Sequence, residues 1–320
     1  MTDNTEYSIL IIGIAGGLAQ LTARLIKQQY PNSKIIGVDT RPIKRISADE
    51  DFEFKTIRYS RGQFENLFRD YEFDIVYHLG RISHSQISSE AIQSRLDLNV
   101  VGTSHILQSC LHYNVQRVVV LSTFHVYGAL PDNPVFLPEE SPLRASLRHP
   151  EVGDVIEMDQ IATNFLWQHQ NQCTTIVLRP CNIIGSQINN TMSRYLTNSI
   201  LPAPNDYDPQ FQYIHEFDMA NVLLGCIDQI PLGIYNVATD QHMSLSSALQ
   251  KTKVNKFKIP FSIGGGFISL LKHFNDRLPL YLVDYLKFSC LIDNSELKKH
   301  LGEHFWRFDI EDTLGLLALD

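Results

Sequence analysis

Residues 9–26 read ILIIGIAGGLAQLTARLI. The run opens with four apolar residues, Ile9 to Ile12, the pattern of a strand buried on both faces of a parallel sheet. A glycine-rich turn and a helix-compatible run follow. Gly13 can take a tight turn that a Cβ would obstruct. Gly16 lets backbone approach a pyrophosphate closely, and Ala19 is small enough for the helix to pack on the strand. The free N–H groups at such a helix start favour an anion. A glycine triplet alone is a weak signal, and the bland alternative is a packing turn without a ligand.

The next segment strengthens the dinucleotide reading. Residues 33–39 read as a second strand ending in Asp39. A carboxylate roughly 20 residues beyond the glycines can hydrogen-bond the ribose hydroxyls of NAD and repel the extra phosphate of NADP. NAD is therefore favoured, with Arg41 keeping NADP open. Further strands are expected at 52–57, 74–80, 117–121, 174–178 and 233–237, and helices at 96–111 and 161–169. Such alternation predicts an α/β fold, a Rossmann-type doubly wound parallel sheet. The hydroxyls of Ser122 and Thr123 follow the fifth strand, where ligands meet these sheets. His78 sits in an apolar run and reads as a core histidine.

The predicted organisation is a dinucleotide-binding domain over 1–180, completed by the strand at 233–237, and a smaller substrate lobe over 181–320. The proline-dense stretch LPAPNDYDP at 201–209 suggests a loop or lobe boundary. From about Ser244 the lobe reads as mostly helical, broken at Gly264, Gly265 and Gly266.

Composition narrows the class. The chain has 320 residues, 44% hydrophobic and 19% charged, ordinary for a globular protein. Its net charge of −8 argues against a nucleic-acid or anionic-membrane surface. Five cysteines without CxxC spacing suggest reduced thiols, no metal site and a cytoplasmic setting. No secretory signal or membrane span is expected.

The ordered motifs GxxGxxA, Asp39, HLG at 78–80, LNVVGT at 98–103, STFHVYG at 122–128, LRPCNIIG at 178–185, FQYIHEFDMA at 211–220 and GIYNVA at 233–238 resemble the extended short-chain dehydrogenase/reductases. The resemblance is nearest to the NAD-dependent epimerase/dehydratase group that includes the UDP-glucose 4-epimerases. It implies that Gly13, Ile14, Gly16, Gly17 and Leu18 cradle the cofactor pyrophosphate. It places Asp39, Arg41 and Ile57 at the adenosine end, Leu79 and Gly80 along the cofactor, and Asn99 near the nicotinamide. Thr123 matches the catalytic Ser/Thr, and Asn182 the asparagine that touches substrate. Relatives often dimerise through the helices near 96–111 and 154–169, so a homodimer is expected, with Ile161, Phe165 and Leu166 compatible with the interface.

Three departures qualify the resemblance. The family's proton chemistry rests on a YxxxK pair, in which the lysine lowers the tyrosine pKa. Depending on register, the equivalent pair here is Asp154 and Met158, or Val155 and Asp159. No tyrosine or lysine occurs anywhere between Gly128 and Arg194. Losing a positioned acid/base costs about 10²–10⁴ in rate. Phe211 stands where sugar-nucleotide epimerases carry a phosphate-binding arginine. Phe124 and His125 stand where 4,6-dehydratases carry an acidic pair. Asp154 and His125 are the candidate substitutes for the tyrosine, although His125 can also face away from the cofactor. The bland reading of Glu151, Asp154, Glu157 and Asp159 is a solvated helix start. The favoured function is an epimerase/dehydratase-like oxidoreductase acting on a sugar nucleotide or other small alcohol, through an altered proton relay. The alternative is a catalytically silent dinucleotide-binding sensor or partner protein.

Overall fold

Strand β1 (Ser8–Ile12) runs through the middle of a seven-stranded sheet, and Ile9 to Ile12 are fully buried. The computed structural model describes residues 5–43, 52–58, 60–80, 93–197, 200–260, 279 and 281–318. The sheet also contains β2 (Lys34–Asp39), β3 (Glu53–Thr56), β4 (Ile75–His78), β5 (Arg117–Leu121), β6 (Thr174–Pro180) and, much later in the chain, β11 (Gly233–Val237). Their order is β11-β6-β5-β4-β1-β2-β3, and every neighbouring pair is parallel. This is the doubly wound Rossmann arrangement. Strand order reverses between β1 and β4, the crevice where such sheets bind ligands.

Alternation along the strands feeds two apolar layers. Ile9, Ile11, Tyr77, Val119, Ile176 and Leu178 face one side, where they meet α1 (Gly17–Gln29) and the Met219–Leu223 face of the later helix Glu216–Gly225. Leu10, Ile12, Val76, Val118, Val120 and Val177 face the other. There they meet α2 (Arg61–Asp70), α3 (Thr103–His112) and α4 (Gly153–Gln168). A π-helical turn, Leu96–Gly102, leads into α3. His78 lies in this layer as expected for a core histidine. Its Nε2 is 2.8 Å from the Thr103 hydroxyl, and burial lowers its pKa to about 4.

The expected strands agree with the observed ones to within two residues at each end, and 117–121 and 233–237 agree at both ends. Helix α4 runs Gly153–Gln168, in line with the helix expected near 154–169, and the run at 161–169 is its second half. Several other expectations are corrected. Asp154 and Asp159 are not a solvated face: they are 7% and 0% exposed, whereas Glu151 and Glu157 are exposed as expected. Phe165 and Leu166 belong to the core, since they pack on the sheet. On the two helices expected at a dimer interface, the exposed large apolar residues are Leu96, Val101 and Trp167.

The part after 181 is less helical than expected. Residues 201–204 of the proline-dense stretch lie in β8 (Ile200–Pro204), which pairs in parallel with β13 (Asn255–Ile259). Prolines are tolerated because a two-stranded sheet consists only of edges. Two more small pairs join β7 (Asn182–Ile184) to β10 (Tyr213–His215) and β9 (Gln210–Phe211) to β12 (Met243–Ser244). The Gly264–Gly266 break lies outside the described residues. No described helix is long and apolar enough to cross a membrane.

Candidate active site

A cavity of about 630 Å³ opens at the carboxyl ends of the sheet strands. Asp39 comes from the end of β2, Leu79 and Gly80 from beyond β4, and Ser122, Thr123 and His125 from beyond β5. Asn182 follows β6. The opposite wall is built from Asn189–Arg194 residues and from Tyr281 and Leu282.

The glycine turn behaves as its sequence requires. Gly13 has φ +91°, and a Cβ there would lie 2.6 Å from the Cα of Gly80. The turns after β1 and β4 thus meet backbone to backbone at the crevice. Gly16 starts α1 with extended backbone and no side-chain cap, and no acid occupies the first turn. The N-terminal N–H groups of α1 therefore carry no side-chain acceptor of their own. Ile14 fills the space left by Gly37, and Gly17 is crossed closely by the Gln187 backbone.

Asp39 is 3% exposed. Its Oδ2 accepts the Ala15 N–H at 3.1 Å, and its Oδ1 accepts the Arg41 N–H at 2.9 Å. The Arg41 guanidinium folds back on the same carboxylate, with Nε 3.2 Å from Oδ1. The acid is therefore anchored to the glycine turn by the protein's own backbone. These features fit an NAD-type dinucleotide: an uncapped helix start, a turn that admits no Cβ at Gly13, and a carboxylate at the end of β2.

Around Thr123 the site departs from expectation. Thr123 Oγ1 lies 3.0 Å from His125 Nδ1 and also accepts the His125 backbone N–H at 3.4 Å. His125 therefore does not face away from Thr123, and both residues line the cavity. Its ring meets Tyr281 edge-on at 5.4 Å and Tyr285 at 4.9 Å, and the Tyr285 hydroxyl donates to the His125 carbonyl at 3.1 Å.

The start of α4 contributes only Val152 and Val155 to the cavity lining. Asp154 turns instead toward Asn99, whose amide donates to its Oδ2 at 2.8 Å, and lies 3.6 Å from Arg95. Asn99 is itself fully buried and is not among the residues lining the cavity; Asp154 compensates its amide. Met158 is in the core. Asp159 forms a bidentate pair with Arg179 and accepts from the Ser122 hydroxyl at 2.5 Å. Of the two registers, neither brings a titratable group to the cavity.

Other expected residues separate in the same way. Asn182 lines the cavity, and its amide donates to the Gln212 carbonyl at 3.0 Å. Phe211 is buried and stacked on Tyr213 at 6.0 Å, where it supplies packing and no charge. Ile57 donates its N–H to the Asp39 carbonyl at 3.0 Å, so it supports β2 and is not among the lining residues. Sequence reading missed Arg194, Tyr281 and Leu282, which no motif marks and which reach the cavity only through the chain's return. His149 holds that return in place. Its Nε2 is 2.8 Å from Asp284, which raises the imidazole pKa.

Comparison with known proteins agrees with this geometry. Residues 9–238 match the NAD dependent epimerase/dehydratase family. An uncharacterized protein of Mycobacterium tuberculosis is 26% identical over 292 residues, covering 88% of this chain and 75% of that protein. The UDP-glucose 4-epimerase of Yersinia enterocolitica is 24% identical over 290 residues, covering 80% and 85%. The dTDP-glucose 4,6-dehydratase of Bacillus anthracis, solved in complex with NAD, has a TM-score of 0.74 at 18% identity, covering 98% of this chain and 96% of that one. The Thermotoga maritima UDP-glucose 4-epimerase, solved with UDP-glucose, has a TM-score of 0.73 at 17% identity, covering 98% and 97%. On the match over 9–238, the chain belongs to the NAD dependent epimerase/dehydratase family.

Proposed function

We propose that this chain is an NAD-dependent oxidoreductase of the epimerase/dehydratase type, acting on a hydroxyl group of a sugar nucleotide or another small alcohol. The observation that carries this reading is the Thr123–His125 contact of 3.0 Å inside the cavity. Gly13, Ile14, Gly16, Gly17 and Leu18 would hold the cofactor pyrophosphate through backbone and shape, and Asp39 the adenosine ribose. NAD, when bound, supplies the acceptor for a hydride leaving the substrate carbon. Thr123 accepts the hydrogen bond of the substrate hydroxyl. As that proton passes to Thr123 Oγ1, the threonine's own proton passes to His125 Nδ1. Imidazole suits this task because its ordinary pKa lies near neutrality. Asn182 orients the substrate from the β6 side. The valines at 152 and 155 keep water from the reacting hydroxyl, which strengthens polar interactions there.

The same reading places the enzyme in a reducing compartment such as the cytoplasm, since all five cysteines are free and buried. It works as a homodimer through the helices around Leu96, Val101 and Trp167.

The test is calorimetry with NAD, followed by turnover assays with UDP-glucose, dTDP-glucose and small secondary alcohols. NAD binding with turnover lost in Thr123→Val and reduced at least a hundredfold in His125→Phe supports the relay. NAD binding without turnover of any of these compounds, unaltered by either variant, supports a silent dinucleotide sensor instead. No NAD binding rejects the cofactor site itself.

A further inference from the structure

The return of the chain at 281–285 reaches His125 as well as the cavity wall. Tyr285 ends the short helical turn Leu282–Tyr285 and is buried. Its ring meets the His125 imidazole at 4.9 Å, with the planes 82° apart, and meets Phe124 at 5.6 Å. Its hydroxyl donates to the His125 carbonyl at 3.1 Å. The same carbonyl accepts the Gly128 N–H at 3.2 Å, which closes the turn after β5. One side chain thus holds both the backbone and the ring of His125. A buried tyrosine that served packing alone needs only some partner for its hydroxyl. Here the partner belongs to the residue whose ring the tyrosine touches. Tyr285 is not among the residues lining the cavity, and burial raises its phenol pKa well above the ordinary value, so it supplies no proton to the site.

His125 needs such confinement. Its side chain is half-buried and turns about two torsions. A hydrogen bond at a ring open to the cavity competes with water and contributes little by itself. The 3.0 Å approach to Thr123 Oγ1 therefore depends on what restricts the ring. Phe124 at 4.2 Å, Tyr281 at 5.4 Å and Tyr285 supply three aromatic contacts, and such pairs favour particular ring orientations. Tyr285 is held in turn through its neighbour. The Asp284 carboxylate lies 2.8 Å from His149 Nε2 and 3.3 Å from Arg148 Nη1. Those two residues precede the turn Pro150–Val152 that leads into α4. The return is thereby clamped to the wall that carries Val152 and Val155, and Tyr285 bears on His125 from a fixed base.

We propose that Tyr285 is the positioning residue of the Thr123–His125 relay: it holds the imidazole in the rotamer that meets Thr123, and the Asp284 clamp keeps it there. This deepens the functional reading above and rests on it.

The full chain, its histidines isotope-labelled at the ring nitrogens, is saturated with NAD and followed by NMR. The His125 signals are those missing from His125→Phe. Thr123→Val is then introduced into wild type, Tyr285→Phe and Tyr285→Leu. The expected result is that T123V moves the His125 Nδ1 resonance in wild type, and that this response is lost in Y285L. In Y285F, which keeps the ring but not the hydroxyl, the response is reduced. In turnover assays with UDP-glucose, dTDP-glucose and small secondary alcohols, Y285L should lower kcat at least tenfold, with KM within about threefold of wild type. A role in packing alone would leave the His125 response to T123V intact in the molecules that fold. If Y285L fails to fold, Y285F carries the same comparison. A response to T123V equal to that of wild type, in Y285L or in Y285F standing in for it, overturns the proposal and leaves the relay intact. Wild-type kcat in that variant also overturns it. No response of His125 to T123V in wild type, or no wild-type turnover of any of these compounds, removes the relay reading and the proposal together.

Discussion

Asp159 and Arg179 form a bidentate ion pair sealed inside the protein, with Arg179 Nη2 2.7 Å from Asp159 Oδ1 and Nε 3.0 Å from Oδ2. Their side chains are 0% and 3% exposed. Arg179 Nη1 also donates to the Tyr127 hydroxyl and to the Glu139 carbonyl, each at 2.8 Å. Tyr127 donates onward to Asn236 on β11 at 2.8 Å. The pair thus ties α4, β6 and the late strand β11 together just behind the cavity. Removing one partner leaves an uncompensated buried charge. Asp159→Ala is expected to cost about 3–5 kcal/mol of stability, and the double variant with Arg179→Met less than the sum of the two single changes. Urea unfolding of the three variants measures both.

Glu139 belongs to the same network and predicts a pH dependence. Burial raises its pKa to about 7, while its Oε1 accepts the Asn236 N–H at 2.8 Å. The folded pKa is above the ordinary carboxylate value of 4.5. The folded state therefore binds more protons than the unfolded state between those two values, and stability falls as pH rises through that window. Glu139→Gln keeps an acceptor and removes the titration. Its unfolding free energy should change less between pH 5 and 7.5 than that of wild type. Equal slopes would show that Glu139 titrates as an ordinary carboxylate.

The glycine turn separates stability from binding. Gly13 has φ +91° and no room for a Cβ against Gly80, so Gly13→Ala should lower stability by more than about 1 kcal/mol. At Gly16 a Cβ would meet only the Gly13 carbonyl oxygen, at 3.3 Å. Gly16→Ala should fold with a thermal midpoint near wild type yet bind NAD at least tenfold more weakly, because on the proposed reading the added methyl stands where the pyrophosphate approaches. Calorimetry on the two variants distinguishes these effects.

On the proposed reading, Asp39 and Arg41 set cofactor choice. With the carboxylate present, Arg41 is neutralised and a 2′-phosphate meets a negative group. Asp39→Ala removes that group and frees Arg41. The ratio of NADP to NAD affinity should rise by at least tenfold. Some stability is lost as well, because the Ala15 N–H loses its acceptor. An unchanged ratio would show that the ribose lies elsewhere.

Leu96, Val101 and Trp167 are 38%, 47% and 55% exposed on neighbouring helices. A homodimer through this face should dissociate when Val101 and Trp167 are both changed to Glu. Light scattering should then read half the wild-type mass, with NAD affinity retained. A wild-type monomer would remove the interface.

How much of this was legible beforehand depends on the range of the interaction. Hydrophobic periodicity and the glycine turn are local signals, so strands such as 117–121 and 233–237 and the helix beginning at Gly17 follow from the sequence. The strand, glycine turn and helix around Gly13 follow from the sequence too, because backbone conformation defines them, and Asp39 lies at the end of β2 on the cavity wall. The acids of α4 were misread because Asp154 and Asp159 look like a solvated helix start until their partners are known. Those partners, Asn99, Ser122 and Arg179, are 55, 37 and 20 residues away in sequence.

The sequence by itself determined the parallel sheet, the dinucleotide turn and the absence of a tyrosine or lysine from 129–193. Only the tertiary structure decided that Val152 and Val155 line the cavity while Asp154 and Asp159 do not, that His125 faces Thr123, and that Arg194 enters from a later segment. The physical reason is that strand and turn preferences are set by neighbours along the chain. Whether a charge meets a partner or an open cavity is set by which distant segments the packed core brings together.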